Sequence, residues 1–532
     1  MANEQSIVPP HALKAAVLFL VFKRLNTTKQ VFAAIQRAKP PRLYIAADGP
    51  RTACEGETEK VQAVRDYLVS NIDWPCKVKT LFRDENLGCR YAISGAITWF
   101  FDNEEEGIIL EDDCLPHPDF FKYCDWALYN YRDDKSVWHI NGNNFECVDG
   151  LFESSLISFT SLAQVWGWAT WRDRWISYQG NPFYLMDHQA QYGTYNWLLS
   201  PVAKINKIKH IRSLQHGLDA WDYQWQVTVL NYRGLCVSCR SNLISNLGDG
   251  VDATHTQKDR RTRLKVRTIS GQLEYLQPSL NKRLTHWYEK KMALRRTTSA
   301  ALWLTKSLLN ELRLKTKSML AKHFFKDFKP IVVAGTGRNG STLLFTAISE
   351  SLVYDRFKIK SSTLIGRSIL RFSRTYTDRL SSVPSSQIPV HKTHDVLSPK
   401  NVQDARFIFV YGNPFEAAQS VQTMVAKHGK IWLDEHQYHL KASGSYEELY
   451  ERDILNYEEQ MLSWLAIPNK NVFGIRYEQI WDRKDELQRF LGFKVILPER
   501  KARKSKPKIE KYNVKLFKHL TSIMNNYDLT GR

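Results

Sequence analysis

The sequence has no apolar run near the ~20 residues that cross a membrane. Its best run, residues 15–22, is far shorter and has no small-residue cleavage site after it. It therefore reads as a buried strand rather than a signal peptide. Cysteine is scarce, with 8 in 532 residues, all in the first half. A disulfide framework needs denser cysteine in a shorter chain, so a reduced, cytoplasmic protein is expected. Cys236-x-x-Cys239 has no second pair nearby and reads as core thiols rather than a zinc site. Acid is also in short supply: 75 Lys and Arg stand against 55 Asp and Glu, a net charge of +20. What is plentiful is core material, with 43% hydrophobic residues and 16 Trp. That composition excludes disorder as the main character of the chain, and the length allows two to four domains.

The basic excess is concentrated. Residues 257–328 hold 18 Lys and Arg against 5 Asp and Glu. Such a stretch either touches nucleic acid or anionic lipid, or forms a solvated helical connector. The connector reading is preferred. Residues 304–320 have the pattern of a basic amphipathic helix, which adds peripheral contact with the inner face of a membrane as an expectation. The chain then divides into a first domain at 1–256, a connector at 257–328 and a second domain at 329–532. A nucleic-acid or membrane-surface scaffold is the last-ranked alternative, because charge alone explains none of the placed acids and glycines.

Both domains alternate apolar runs with helical stretches. In the first, strands are expected at 15–22, 42–47, 77–82 and 107–110, with helices ending near Arg37, at 58–71 and at 90–101. In the second, strands are expected at 331–334, 406–411 and 471–475, with helices opening near Ser341 and Phe415. This order implies parallel, Rossmann-like sheets and an α/β class for both halves.

Glu111-Asp112-Asp113 closes the strand at 107–110. In open α/β sheets ligands sit at the carboxyl ends of strands. Three adjacent carboxylates repel one another there. A hard divalent cation, Mg²⁺ or Mn²⁺, relieves that repulsion and can neutralise a diphosphate leaving group. The bland alternative is an acidic turn. The phrase Glu111-Asp112-Asp113-Cys-Leu-Pro-His-Pro118-Asp119-Phe120 is similar to the acidic motif of the GT-A fold glycosyltransferases, and the resemblance spans most of residues 13–256. It also takes in Asp48 at the end of the second strand, the segment 83–88 and Gly167-Trp168-Ala169-Thr170-Trp171-Arg172.

That resemblance implies a nucleotide-sugar donor and a glycan or glycolipid acceptor. It implies Asp113 as the leading metal ligand, supported by Glu111, with His255 as a further candidate. Asp112 would lie near the donor ribose or sugar, and Asp48 near the nucleotide base. Asp222, between Trp221 and Tyr223, would be the general base of an inverting transfer, with Asp219 as runner-up. An Asp222 that merely opens a helix accounts for the pattern equally well. Trp166, Trp168 and Trp171 suit stacking on a pyranose, although core packing explains at least one of them.

Gly335-Thr-Gly337-Arg338-Asn339-Gly340-Ser341-Thr342 follows a strand and opens a helix. Glycines let the backbone turn tightly, and the amides and helix dipole favour phosphate. Position 341 is Ser where a Walker loop has Lys, which weakens an ATPase reading. The loop resembles that of the sulfotransferases, whose donor is 3′-phosphoadenosine 5′-phosphosulfate. Lys392-Thr393-His394, Val410-Tyr411-Gly412-Asn413-Pro414 through Ser420, and Arg476-Tyr477-Glu478 agree in order, so the resemblance covers about 330–500. It implies His394 as base, Lys392 beside the leaving phosphate, Arg338, Asn339, Gly340, Ser341 and Thr342 around the 5′-phosphate, and Ser420 at the 3′-phosphate. Gly412 stands where that family usually has Arg. Arg406 or the basic run 501–506 is expected to substitute. The whole reads as a bifunctional enzyme that adds a sugar and sulfates a glycan. A glycosyltransferase with an inactive sulfotransferase-like binding domain is the alternative.

Overall fold

In the computed structural model, the described residues are 13–293 and 316–529, apart from 53, 146–148, 186–200, 249–263, 327, 377–387, 397–404, 466–471 and 501–511. The chain divides into two units, Met1–Ala301 and Leu302–Arg532.

Alternation along each strand explains the first unit. In β1 (Ala16–Val21) every residue is buried. Val17, Phe19 and Val21 enter one core with Val31, Phe32 and Ile35 of α1 (Leu25–Ala38). Ala16, Leu18 and Leu20 enter a second core on the opposite face. Period-2 side chains thus feed two layers at once, as a sheet covered on both faces requires. β2 (Arg42–Ala47), α2 (Glu57–Ser70), β3 (Lys77–Phe82), α3 (Gly88–Asn103), β4 (Glu106–Glu111), a short β5 (Cys114–Pro116) and α4 (Pro118–Tyr131) complete the front half. Ala96, Ile97 and Phe100 of α3 cover the second face.

β6 (Val137–Asn141), β7 (Ile157–Thr160), β8 (Trp168–Trp171), α5 (Arg172–Trp175), α6 (Pro201–Gln215), α7 (Asp222–Asn231), β9 (Leu235–Cys239) and β10 (Ile244–Asn246) follow. The sheet order is β3-β2-β1-β4-β8-β6-β9-β7. The first four strands are mutually parallel. β8 runs antiparallel to both β4 and β6, and β7 runs antiparallel to β9. The expected all-parallel sheet therefore holds for the front half only. Strands arriving without a crossover helix are free to reverse direction. Gly142 admits the close pass that results: a Cβ there would lie 2.2 Å from the Gly167 carbonyl oxygen.

Part of the segment read as connector belongs to this unit. Arg267 N donates to the Asn242 carbonyl at 2.9 Å and Ile269 N to Asp119 Oδ2 at 3.0 Å. α8 (Lys282–Ala293) then buries Leu284 and Tyr288 in a satellite core.

The second unit holds β11 (Ile331–Gly335), α9 (Ser341–Phe357), α10 (Leu364–Ser373), β12 (Arg374–Tyr376), β13 (Val390–Thr393), β14 (Arg406–Tyr411), α11 (Pro414–His428), α12 (Lys430–Leu440), α13 (Tyr457–Leu465), β15 (Val472–Arg476), α14 (Lys484–Leu491) and α15 (Val514–Leu529). Its sheet, β12-β13-β11-β14-β15, is parallel throughout. Alternation again feeds two cores, with Ile331 and Val333 on one side and Val332 and Ala334 on the other. Among the described residues no helix is long and apolar enough to cross a membrane.

Candidate active sites

The first site lies where β1, β2 and β4 end. In a sheet ordered 3-2-1-4 the crevice opens beside β1, where the strand order reverses. A cavity of about 520 Å³ occupies that place, lined by Val21, Asp48, Glu111 and Asp112 among others. Lys23, Arg24, Arg51 and Arg83 face the same cavity.

Asp48 leaves β2 and captures the loop before α3. Its oxygens accept from Leu87 N at 3.0 and 3.1 Å, from Gly88 N at 3.1 Å and from Asn86 Nδ2 at 3.0 Å. Burial pushes its carboxyl above the ordinary range, against those amides. At the opposite rim, Glu57 takes Lys23 Nζ at 2.6 Å and Arg51 Nε at 2.8 Å. The Arg51 hydrogen bonds hold Glu57 down at about 2 despite some burial.

Arg24, three residues beyond β1, answers the acidic cluster. Its Nη2 binds Asp112 Oδ1, its Nε reaches Asp112 Oδ2 at 3.3 Å, and its Nη1 reaches Asp113 Oδ2 at 3.0 Å. Burial still pushes Asp112 up to about 6, with Arg24 opposing. Burial, then Asp113, Asp112 and Asp222, pushes Glu111 well above the usual carboxylate range.

This arrangement bears on the expected metal. Asp112 and Asp113 are hard oxygen donors of the right kind, yet their shared face is taken by a guanidinium. His255 lies outside the described residues. Among the described residues no three His, Cys, Asp or Glu side chains converge as a metal would need. The donors present do not fit a divalent cation unless Arg24 is displaced.

The two candidate bases have different surroundings. Asp219 gives both oxygens to the first turn of α3, accepting from Cys89 N and Arg90 N at 2.8 Å each. It caps that helix from a distant segment. Asp222 opens α7 and takes Gln226 Nε2 at 3.5 Å. It also acts electrostatically on Glu111, so the structure brings Asp222 toward the acidic cluster. The aromatic loop departs from expectation. Trp168 and Trp171 are buried in β8. Trp168 stacks on His139 at 4.9 Å and on Trp221 at 5.8 Å. Only Trp166 of the three keeps partial exposure. Beside this aromatic core, the buried Gln164 and Gln224 amides and the Trp168 indole N–H have no hydrogen-bond partner.

In the second unit the glycine loop runs between β11 and α9. Gly337, Arg338 and Gly340 have φ of 71°, 54° and 83°. That left-handed turn suits glycine and strains Arg338. At Gly340 a Cβ would lie 2.2 Å from the Tyr477 ring, which explains that glycine twice over. Around the loop, Lys392 Nζ donates to Thr342 Oγ1 at 2.9 Å, His394 Nδ1 meets the Gly335 carbonyl at 2.6 Å, and Arg338 Nε donates to Ser420 Oγ at 3.0 Å. Asn339 is buried and bound to Thr336 Oγ1 at 2.8 Å. Ser341 is buried at the helix start, whereas Thr342 is exposed. Residues read from four separate segments thus gather at one sheet edge. Burial, then Arg338, depresses Lys392 to about 8.

Gly412 now has a reason. A Cβ there would lie 2.8 Å from Asn339 Oδ1. Arg338 brings a guanidinium to Ser420 from the loop instead. Arg406, the expected substitute, is at the amino end of β14, bound to the Leu491 carbonyl and over the Phe328 ring, so it is at the wrong end of the strand. The basic run 501–506 lies outside the described residues.

Reading the sequence missed three residues. Arg24 was signalled only by a Lys-Arg pair after an apolar strand. Trp432 and His436 were signalled only by their i, i+4 spacing on α12.

No family model matches the chain, and no curated protein matches it. Among solved structures, the chain is weakly similar to UDP-glucose pyrophosphorylase complexed with UDP-glucose, at 8% identity and a TM-score of 0.23, over 43% of this chain and 90% of that one. It is also weakly similar to the glycosyltransferase GlyE of Streptococcus pneumoniae TIGR4, at 12% identity and a TM-score of 0.20, over 75% of this chain and 91% of that one. TM-scores this low leave the site geometry to carry the functional argument.

Proposed function

We propose that the first unit is a nucleotide-sugar-dependent glycosyltransferase and that the second is a sulfuryl transferase using 3′-phosphoadenosine 5′-phosphosulfate. One observation carries the reading: each unit sets converging charged and hydrogen-bonding side chains at the carboxyl edge of its central strand. In the first unit, Lys23, Arg24, Arg51 and Arg83 supply positive charge to a diphosphate, and Asp48 stands at the nucleotide end. Asp222 takes the acceptor proton as the acceptor oxygen bonds the anomeric carbon and the diphosphate leaves with its electron pair.

In the second unit the loop amides and Thr342 hold the 5′-phosphate. The acceptor oxygen bonds sulfur while the sulfur–oxygen bond to the 5′-phosphate breaks. His394 takes the acceptor proton, and Lys392 balances the charge on the leaving phosphate. An inactive binding module is the second reading, favoured by the absence of a guanidinium at Gly412. Incubating the full chain with radiolabelled donors and glycan acceptors tests both. Transfer from each donor supports two activities, sulfate-donor binding without transfer supports the module, and binding of neither donor ends the proposal.

A further inference from the structure

The sulfuryl-transfer step leaves His436 unused. It lies on α12 with its ring stacked on Trp432, 4.8 Å away at 20°. The Arg338 guanidinium lies 5.6 Å over the same indole. The His394 ring stands nearly perpendicular at 6.1 Å. His436 Nε2 is shut off from solvent and has no hydrogen-bond partner. It lies 3.1 Å from the point where a side chain on Gly337 would begin, so it faces the glycine loop itself.

We infer that His436 is a ligand of the anion held by the 335–342 loop, its Nε2–H donating to an oxygen of a tetrahedral phosphate or sulfonate group. The inference rests on the reading of that loop given above. Two observations support it. A buried ring nitrogen without a partner costs free energy that a bound oxygen would recover. And Arg338, Lys392, His394 and His436 come from three separate segments to one place, where an anion offsets the repulsion between the Arg338 and Lys392 charges. Burial first, then His394, Arg338 and Lys392, holds His436 well below the ordinary imidazole range, so the ring stays neutral and carries one N–H.

Calorimetric titration of the full chain tests this, with adenosine 3′,5′-bisphosphate in one arm and the phosphosulfate donor in the other. His436→Leu removes the donor, while His436→Gln keeps an N–H at a similar reach. The Leu variant is expected to bind roughly tenfold more weakly and the Gln variant within about threefold of the parent. Loss in both arms assigns the contact to the 5′-phosphate, and loss with the phosphosulfate alone assigns it to the sulfonate. Equal binding by the Leu variant, or equal loss in Leu and Gln, overturns the inference while leaving the loop reading intact. Failure of the parent to bind either nucleotide removes the loop reading and this inference with it. Should the Leu variant not fold, ¹⁵N-histidine spectra of the parent decide: a ligand-induced shift of the His436 Nε2 resonance supports the contact, and an unmoved resonance contradicts it.

Discussion

Arg24 Nη1 sits 3.0 Å from Asp113 Oδ2 while its other nitrogens hold Asp112, so one guanidinium spans two neighbouring carboxylates. Asp112 is only 4% exposed. Removing the cation leaves buried like charges facing each other, a change that costs about 3–5 kcal/mol in fully buried pairs and somewhat less here. Arg24→Leu should therefore lower the urea midpoint strongly, whereas Arg24→Lys should recover part of the loss.

The same pair sets a pH dependence. Burial pushes the Asp112 carboxyl up to about 6, above the 3.8 of a free aspartate, with Arg24 opposing. The folded state thus binds this proton more tightly than the unfolded chain does. Its contribution is complete below about pH 4 and drains away as pH rises to 6. Glu111 shifts in the same direction and extends the window upward. Urea unfolding between pH 4 and 8 should show this decline, and Asp112→Asn should flatten the part that ends near 6.

Asp219 and Asp222 should separate cleanly. Asp219→Ala strips two backbone amides of α3 of their acceptor and should cost about 1–2 kcal/mol of stability. Asp222→Asn should leave stability nearly unchanged and abolish glycosyl transfer while nucleotide-sugar binding survives. Parallel measurement of thermal unfolding and turnover checks the pair.

Burial, then the Arg338 charge, pushes the Lys392 ammonium down to about 8, below the 10.5 of a free lysine. The unfolded chain binds that proton more tightly, so stability from this group rises as pH climbs from about 8 toward 10.5. Anion binding runs the other way, because the charged ammonium is lost above 8 while the Arg338 beside it stays charged. Affinity for adenosine 3′,5′-bisphosphate should fall up to tenfold between pH 7 and 9, and Lys392→Met should show a weaker, flatter profile.

Restoring arginine at position 412 should hurt. Its Cβ meets the buried Asn339, so Gly412→Arg should cost about 1–3 kcal/mol and not improve nucleotide binding. Pairing it with Asn339→Ala should recover part of the stability, a coupling visible in a double-mutant cycle. Arg338→Ala should weaken binding without a comparable stability loss.

Local signals carried much of the frame. The strands at 42–47, 77–82 and 406–411 agree with expectation to the residue, because each is an apolar or β-rich run bounded by turn residues. Thr342, Lys392 and His394 were expected at a helix start and a strand end, and the structure sets those positions beside the glycine loop. What stayed hidden depends on contacts between distant segments. The partnering of Arg24 with Asp112 spans 88 positions. The reversal of β8 hangs on the close pass of Gly142 and Gly167, and the burial of Trp168 on His139 and Trp221. No periodicity within one segment encodes such encounters. Residues 264–293 looked like a charged connector because the excess charge of 257–328 was read as a whole, whereas Ile269, Leu273, Leu276 and Leu280 pack on the main core and Leu284 and Tyr288 on a satellite one.

Hydrogen exchange on the full chain, with a nucleotide-sugar panel and adenosine 3′,5′-bisphosphate added separately, tests the central claim most directly. The account predicts that a nucleotide sugar slows exchange at 20–24 and 86–92, and that the bisphosphate slows exchange at 335–345 and 412–422. Protection of the same unit by both ligands, or of neither unit by any of them, would contradict it.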